Sequence, residues 1–283
     1  MVTIIADSTC DLSPELIKRY GVEIIPLQIL LGDDAFEDGA GVTPDEIYRW
    51  ADANSATPKT AAPSLETVAT VMGRVLESGN DAVCLTISES MSTCANVLRL
   101  AARELGAENR VKVINSENLS TGIGLMVLSA AEMAQKGASA QEIADHLESL
   151  KPRIRASFVV DTLTYLHRGG RCSGVAAMAG GLLRLHPMIS VSGGKMSPGK
   201  KYRGKMKRVI GEYVEELTPA LEKADAHRVF ITHSGCEESI IAAVKDMVSS
   251  MGHFEEICIT RAGGVISSHC GPGTLGVLFV AGE

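Results

Sequence analysis

VTIIADSTCDLSPELIKRYG, residues 2–21, predicts one strand, one polar loop and one helix in that order. Val2–Ala6 is a short apolar run typical of a buried strand, and the side chains of Asp7-Ser8-Thr9 commonly bond to the local backbone in turns. Ser13-Pro14-Glu15 predicts a helix start, with Ser as the N-cap, Pro in the first turn and Glu near the positive end of the helix dipole. Gly21 predicts the end of that helix.

The same unit recurs along the first half of the chain. Further strands are predicted at Val22–Leu31, Asp81–Ile87 and Val111–Asn115, and further helices begin near Thr43, Ser64, Ser90, Thr121 and Ser139. Strands that alternate with helices indicate an α/β fold, a doubly wound parallel sheet with helices on both faces. We therefore expect a Rossmann-like α/β domain over residues 1–153.

The pattern changes after residue 153. Pro187–Ser192 and Lys195–Arg203 flank Gly193-Gly194, which predicts a hairpin, whereas the small residues of Thr162–Leu185 predict broken helix. The other predicted elements are helices Lys205–Lys223 and Glu238–Met251 and strands Arg155–Asp161, Arg228–Thr232, Glu255–Thr260 and Leu275–Val280. Hairpins mixed with helices indicate an α+β domain with a mostly antiparallel sheet over residues 154–283.

Composition narrows the classes of function. Apolar residues make up 45% of the chain and charged residues 22%, the balance of a globular protein, and the net charge of −7 argues against general nucleic-acid binding. The seven cysteines form no C-x-x-C pair, which fits a reducing compartment better than a disulfide framework. We expect a cytoplasmic protein without a signal peptide or transmembrane segment, and transient contact with a membrane surface stays open.

Polar residues lie beside several of the predicted strands. Asp7-Ser8-Thr9, Thr60, Ser88–Ser92 and Asn115-Ser116 each follow an apolar run or precede a helix. In open α/β sheets ligands bind outside the carboxyl ends of the strands, so we expect these loops to converge on one crevice. Each hydroxyl has a plainer role as a helix cap, but together they favour a ligand contact.

Common catalytic and cofactor motifs are missing from the sequence. It contains no G-x-x-x-x-G-K-[ST], and Gly122-x-Gly124 is only a partial dinucleotide motif inside a predicted helix. The sequence also contains no H-x-x-x-H pair, a spacing typical of metal ligands. We therefore expect neither a cofactor nor a metal ion. A hydrolase or acyltransferase stays as the alternative, with Ser92 as nucleophile, His269 as base and Asp7 as its orienting carboxylate, although G-x-S-x-G is absent.

VISSHCGPGTLG, residues 265–276, holds a histidine beside a tight turn. Gly271-Pro272-Gly273 must bend sharply, and the apolar run Leu275–Val280 follows at once. We therefore predict that the imidazole of His269 lies on a turn at the mouth of a strand. The plainer alternative is a structural histidine with all its hydrogen bonds satisfied.

Five motifs together resemble the DegV family of fatty-acid-binding proteins, which serve bacterial fatty acid kinase. They are Asp7-Ser8-Thr9-Cys10-Asp11-Leu12, Thr60–Ser64, Ser92-Thr93-Cys94, Tyr165–Arg171 and Ser268–Gly273. The resemblance implies two domains with a long-chain fatty acid between them and no catalytic residue. It implies that a separate ATP-binding kinase subunit converts the presented carboxylate into an acyl phosphate.

The resemblance also implies which residues hold the carboxylate. The hydroxyl and imidazole positions of the family motifs match Thr60, Ser92 and His269. Thr93 replaces a glycine of the family's S-G-T motif and also lies at this predicted site, and Ala61-Ala62 replaces the family's Ser-Gln. Candidates for the apolar slot, each equally suited to an ordinary core, are Ile25, Leu27, Ile29, Phe158, Leu166, Met178, Leu182, Met188 and Ile266.

Basic residues are concentrated in Lys195–Arg208 of this acidic protein, and Arg171 follows two glycines. Such a run is commonly a solvated face, but it also suits the docking of a phosphate-handling partner. We hypothesise that Arg171, Lys200, Lys201 and Arg203 contact the kinase.

Overall fold

The structure, a computed structural model, describes residues 1–172 and 185–282. Its strands are β1 Val2–Asp7, β2 Glu23–Ile25, β3 Gln28–Leu31, β4 Asp34–Glu37, β5 Lys59–Ala61, β6 Asp81–Thr86, β7 Val111–Asn115, β8 Ile154–Val159, β9 Leu185–Ser192, β10 Lys195–Arg203, β11 Ala224–Ser234, β12 Glu256–Arg261 and β13 Thr274–Ala281. Its helices are α1 Pro14–Tyr20, α2 Pro44–Asn54, α3 Leu65–Glu77, α4 Cys94–Glu104, α5 Thr121–Gln135, α6 Ala140–Leu150, α7 Thr164–Gly169, α8 Met206–Leu221, α9 Glu238–Ser250 and α10 Gly264–Cys270.

The first half is built on the predicted parallel sheet, which has the strand order β2-β1-β6-β7. Helices α3 and α4 pack on each other and on this sheet, as do α5 and α6. The local signals act as predicted: Ser13 accepts from the Leu16 N–H at the start of α1, and Gly21 ends that helix with φ of 65°. The α/β class of this half is therefore confirmed.

The second half contains a six-stranded sheet of order β10-β9-β8-β13-β11-β12. Every neighbouring pair in it is antiparallel except β11 with β12, so the mostly antiparallel sheet is confirmed. Strands β9 and β10 form the predicted hairpin around Gly193 and Gly194, both with positive φ. Helices α8 and α9 pack on each other and on this sheet over a core that includes Tyr213 and Val277.

A third sheet, β4-β3-β5, was not expected from the sequence. The predicted strand Val22–Leu31 is two strands, because Pro26 has no N–H to donate and separates β2 from β3. β2 continues the parallel sheet, whereas β3 pairs with β4 and β5. Thr60 consequently lies on β5, opposite Ile29, and not at the end of a parallel strand.

Helix α5 lies between the two large sheets, in contact with β1 and β6 on one side and β8, β11 and β13 on the other. Most of its residues are buried, and the core that surrounds it runs without a break from Ile5 through Leu128 to Leu278. The predicted boundary at residue 153 stays a prediction. No helix within residues 1–172 and 185–282 is long and apolar enough to cross a bilayer.

Candidate functional site

A cavity of about 450 Å³ opens between the two halves of the molecule, within the range of small-molecule sites. Its walls come from the third sheet, the loop before α4, helix α10 and the β9–β10 hairpin. Its lining residues are Leu27, Thr60, Ala61, Ala62, Ile87, Glu89, Ser90, Met91, Ser92, Thr93, Leu119, Arg171, Met196, Val265, Ile266, His269 and Cys270. All four residues predicted to hold a carboxylate therefore face one space.

Thr60 and His269 are in direct contact. The Thr60 Oγ1 atom lies 2.8 Å from the His269 Nε2 atom, although the residues are 209 positions apart. Strand β5 presents the hydroxyl and the last turn of α10 presents the ring. The prediction that His269 lies on a turn is wrong, since the Gly271-Pro272-Gly273 turn begins only after the helix.

The surroundings of His269 keep its imidazole neutral. Burial, with a smaller contribution from the Arg171 guanidinium, lowers its pKa to about 4. Nδ1 is buried with no partner among the described residues, and a Cβ added at Gly169 would lie 2.5 Å from it. An unpaired buried N–H is costly, so this arrangement favours the tautomer in which Nε2 carries the proton and donates to Thr60.

Ser92 and Thr93 lie just before α4, which begins at Cys94 and not at Ser90 as predicted. The Ser92 Oγ atom accepts a 3.3 Å hydrogen bond from the Cys94 N–H, which leaves its own proton available to a ligand. Thr93 is the N-cap residue of α4, but its side chain makes no capping hydrogen bond. Both hydroxyl groups are consequently available to donate a hydrogen bond to a ligand in the cavity.

Arg171 lines the mouth of the same cavity. Its Nη1 atom donates to the Gly169 carbonyl at 2.7 Å, while much of the side chain stays exposed. The sequence hypothesis gave this arginine a role in docking a partner. The structure places it on the wall of the cavity, and the docking role stays a prediction.

The apolar wall matches the predicted slot only in part. Leu27 and Ile266 line the cavity, and Phe158 lines a small neighbouring cavity that also includes Ile266. Ile25, Ile29 and Leu166 are buried core residues that do not line it, and Met188 packs against the core under α8. Met178 and Leu182 lie outside the described residues.

The sequence did not predict the apolar lining residues Ile87, Met91, Leu119, Met196 and Val265. Met196 reaches the cavity because the hairpin tip packs on the loop before α4, where the Ser88 hydroxyl donates to the Gly194 carbonyl at 2.7 Å. The hairpin was predicted, but nothing local in its sequence places it against that loop. The position of Ile87 directly after a parallel strand was the one available signal.

The hydrolase hypothesis needs Ser92, His269 and Asp7 in one hydrogen-bonded chain. His269 Nε2 contacts Thr60 instead, and Ser92 makes no hydrogen bond to the ring in the part of the chain that the structure describes. Asp7 is fully buried and accepts from Thr9 and from the Ile87 N–H. No nucleophile, base and carboxylate are therefore aligned there.

The other residues of the docking hypothesis lie on strand β10. Lys200 pairs with Glu216 of α8, whereas Lys201 and Arg203 are exposed and make no ion pair within residues 1–172 and 185–282. Groups of His, Cys, Asp and Glu that could hold a metal ion are likewise absent from those residues.

Comparison with known proteins gives one consistent family. The sequence model of a family described as uncharacterised proteins of the DegV family matches residues 1–282. A DegV domain-containing protein from Deinococcus radiodurans is 34% identical over 277 residues, 98% of this chain and 97% of its own.

Solved structures agree with the sequence matches. A DegV family protein from Thermus thermophilus, described as binding fatty acid, has a TM-score of 0.91 at 33% identity and 99% coverage of both chains. A stearic acid-binding protein from Eubacterium ventriosum has a TM-score of 0.85 at 28% identity, over 99% of this chain and 98% of its own. The chain therefore belongs to the DegV family.

Proposed function

We propose that this protein binds a long-chain fatty acid in the cavity and presents its carboxylate to a fatty acid kinase. The observation that carries the proposal is the asymmetry of the cavity, which groups hydroxyls, an imidazole and an arginine beside an apolar wall. A fatty acid needs few donors and a long apolar surface, and each CH₂ removed from water contributes about 0.8 kcal/mol. The fatty acids bound by the Thermus and Eubacterium relatives support the same ligand class.

Thr60 is the central donor in this proposal. With the proton of His269 on Nε2, the ring donates to Thr60 Oγ1, and the Thr60 hydroxyl proton is free to point at a carboxylate oxygen. Ser92 donates to the same carboxylate from the loop before α4, with Thr93 beside it. Hydrogen bonds to a charged group contribute about 1.5–3 kcal/mol each, so two donors hold the head group firmly.

Arg171 supplies a positive charge beside the carboxylate of the fatty acid. It lines the cavity and is nevertheless exposed, so the carboxylate end lies near solvent and the acyl chain lies inside. Glu89 also lines the cavity, but its carboxylate pairs with Arg99 at 2.6 Å. It therefore offsets less of the positive charge of Arg171 than an unpaired carboxylate would. A kinase that approaches Arg171 could reach the carboxylate without removing the acyl chain from its slot.

Presentation to the kinase requires a docking face, and the exposed Lys201 and Arg203 on β10 are its proposed centre. We assign the role to the cytoplasm, where an ATP-binding kinase subunit would form the acyl phosphate used in phospholipid synthesis. Complementary charge mainly accelerates encounter and makes it sensitive to salt. A docking face of this kind leaves fatty-acid binding itself unchanged.

The test reverses two charges. Lys201→Glu/Arg203→Glu should slow kinase-dependent acyl-phosphate formation by about tenfold at low salt, because steering charges act mostly on the association rate. The deficit should shrink as salt rises, while the dissociation constant for oleate stays unchanged. The matched control is Lys18→Glu/Lys136→Glu, an identical charge change at two exposed lysines in the first half.

Two results would contradict the proposal. Equal rates for the docking variant, the control and the wild type would remove β10 from the docking face. Hydrolysis of an acyl ester by the protein alone, lost in Ser92→Ala, would restore the enzyme alternative.

A further inference from the structure

Helix α10 supplies His269 to the cavity, yet none of its own side chains caps its first turn. The N-cap residue is Gly263, which has no side chain to offer. Its N–H donates to Asp11 Oδ1 at 2.8 Å. The N–H groups of Gly264 and Val265 donate to Asp38 Oδ1 at 2.7 and 3.3 Å. Two carboxyl groups from more than 220 positions upstream therefore take the place of a local cap.

The second oxygen of each carboxyl group connects this turn to the cavity wall. Asp38 Oδ2 accepts from the Ser8 hydroxyl at 2.8 Å, and that hydroxyl accepts from the N–H of Leu27, a lining residue. Asp11 Oδ2 accepts from the Ser120 hydroxyl at 2.5 Å, next to Leu119, which also lines the cavity. One network thus joins the start of α10 to two other parts of the site.

Both carboxyl groups are buried, with 5% and 6% of Asp11 and Asp38 exposed. No Lys or Arg within residues 1–172 and 185–282 pairs with either one, and the titratable groups that face them are Asp7, Cys10 and Cys270. Burial raises the pKa of both groups, that of Asp11 to about 8. Buried acids without a cation are costly, and ordinary helix capping would not require two of them.

The packing around Gly264 leaves α10 little freedom. A Cβ there would overlap Ile29 and come within 3.0 Å of Asp38 Oδ1 and Ile47 Cδ1. The helix start is thus pressed against β3, whose Ile29 pairs with Thr60 of β5. Because His269 lies on the same short helix, the position of its first turn sets the distance between Nε2 and Thr60 Oγ1.

We propose that Asp38, assisted by Asp11, is a positioning residue of the carboxylate site, holding the first turn of α10 so that His269 stays against Thr60. It does not touch the ligand. This inference rests on the proposed fatty-acid function for its effect on affinity, but its effect on the imidazole can be measured without any ligand.

The experiment compares Asp38→Ala with Asp38→Asn, which keeps an oxygen for the Gly264 and Val265 N–H groups. The readouts at pH 7 are the dissociation constant for oleate and the imidazole NMR signal of His269 in ligand-free protein. Asp38→Ala should shift the His269 signal. It should also weaken oleate binding by about tenfold, which is near the lower bound of the effect expected when one hydrogen bond to the ligand carboxylate is lost. Asp38→Asn should restore most of both.

Ser139→Ala is the control, because it removes the cap of α6, which does not line the cavity. It should lower the melting temperature and leave both readouts unchanged. If Asp38→Ala behaves in the same way, the positioning role is overturned. If Asp38→Ala does not fold, Ser8→Ala removes the hydroxyl bound to Asp38 Oδ2, and the same two readouts decide in the same way.

The two proposals can fail separately. Wild-type protein that does not bind oleate would overturn the proposed function, and the His269 signal of the variants would still decide the role of Asp38.

Discussion

Replacing Thr60 by valine removes one hydroxyl and keeps the branched shape of the side chain. In the ligand-free protein this change breaks the 2.8 Å contact with His269 Nε2, on a ring whose Nδ1 atom has no partner among the described residues. In the complex it also removes the proposed donor to the carboxylate. A hydrogen bond to a charged group contributes about 1.5–3 kcal/mol, and about 1.4 kcal/mol is tenfold in affinity. Thr60→Val should therefore weaken fatty-acid binding by roughly 10- to 150-fold.

The assay is calorimetric titration of delipidated protein with oleate. Thr60→Ser, which keeps the hydroxyl, should bind within a few-fold of wild type. Thr67→Val is a control for the substitution itself, because Thr67 lies on α3 and contacts Ser64 outside the cavity. Unchanged affinity in Thr60→Val, with the fold intact, would place the carboxylate elsewhere and refute the reasoning.

Three further predictions concern neighbouring groups. Ser92→Ala should weaken oleate binding by about tenfold in the same titration, since it removes one donor to the carboxylate. Nitrogen NMR of ligand-free protein should find His269 neutral, protonated on Nε2, between pH 5.5 and 8, because its pKa is lowered to about 4; a midpoint near 6.5 would contradict this. Folded Asp11 keeps its proton to about pH 8 and the unfolded chain loses it near 3.8, so this group makes stability fall as pH rises between those values. Asn resembles the protonated acid, so in Asp11→Asn the free energy of unfolding in urea should fall less between about pH 5 and pH 8 than it does in the wild type. An equal fall in the variant and the wild type would contradict this prediction.

Local signals in the sequence predicted the elements whose boundaries depend on neighbouring residues. The helix starts at Ser13, Thr43 and Ser139 and the Gly193-Gly194 hairpin all form as expected. These features involve groups a few positions apart, so sequence patterns describe them well. The alternation of strands and helices was sufficient for the parallel sheet, and the hairpin indicated the antiparallel one.

The features that the sequence did not reveal depend on contacts between distant residues. Helix α10 is capped by Asp11 and Asp38, and nothing within its own seven residues predicts a helix start. The contact between Thr60 and His269 depends on a third sheet, whose central strand β3 is separated from β2 at Pro26. The family resemblance gave these two residues, together with Ser92, as positions that hold the carboxylate, whereas the residue patterns alone left each with a plainer explanation.

Native mass spectrometry of protein freshly purified from bacteria tests the central claim most directly. We expect a fraction of the wild-type protein to carry the added mass of one long-chain fatty acid, identified after extraction, because the buried chain slows its release. Thr60→Val/Ser92→Ala should carry less of it, while Thr67→Val matches the wild type. Wild-type protein that shows only the mass of the bare chain, and takes up no oleate when oleate is added, would contradict the account.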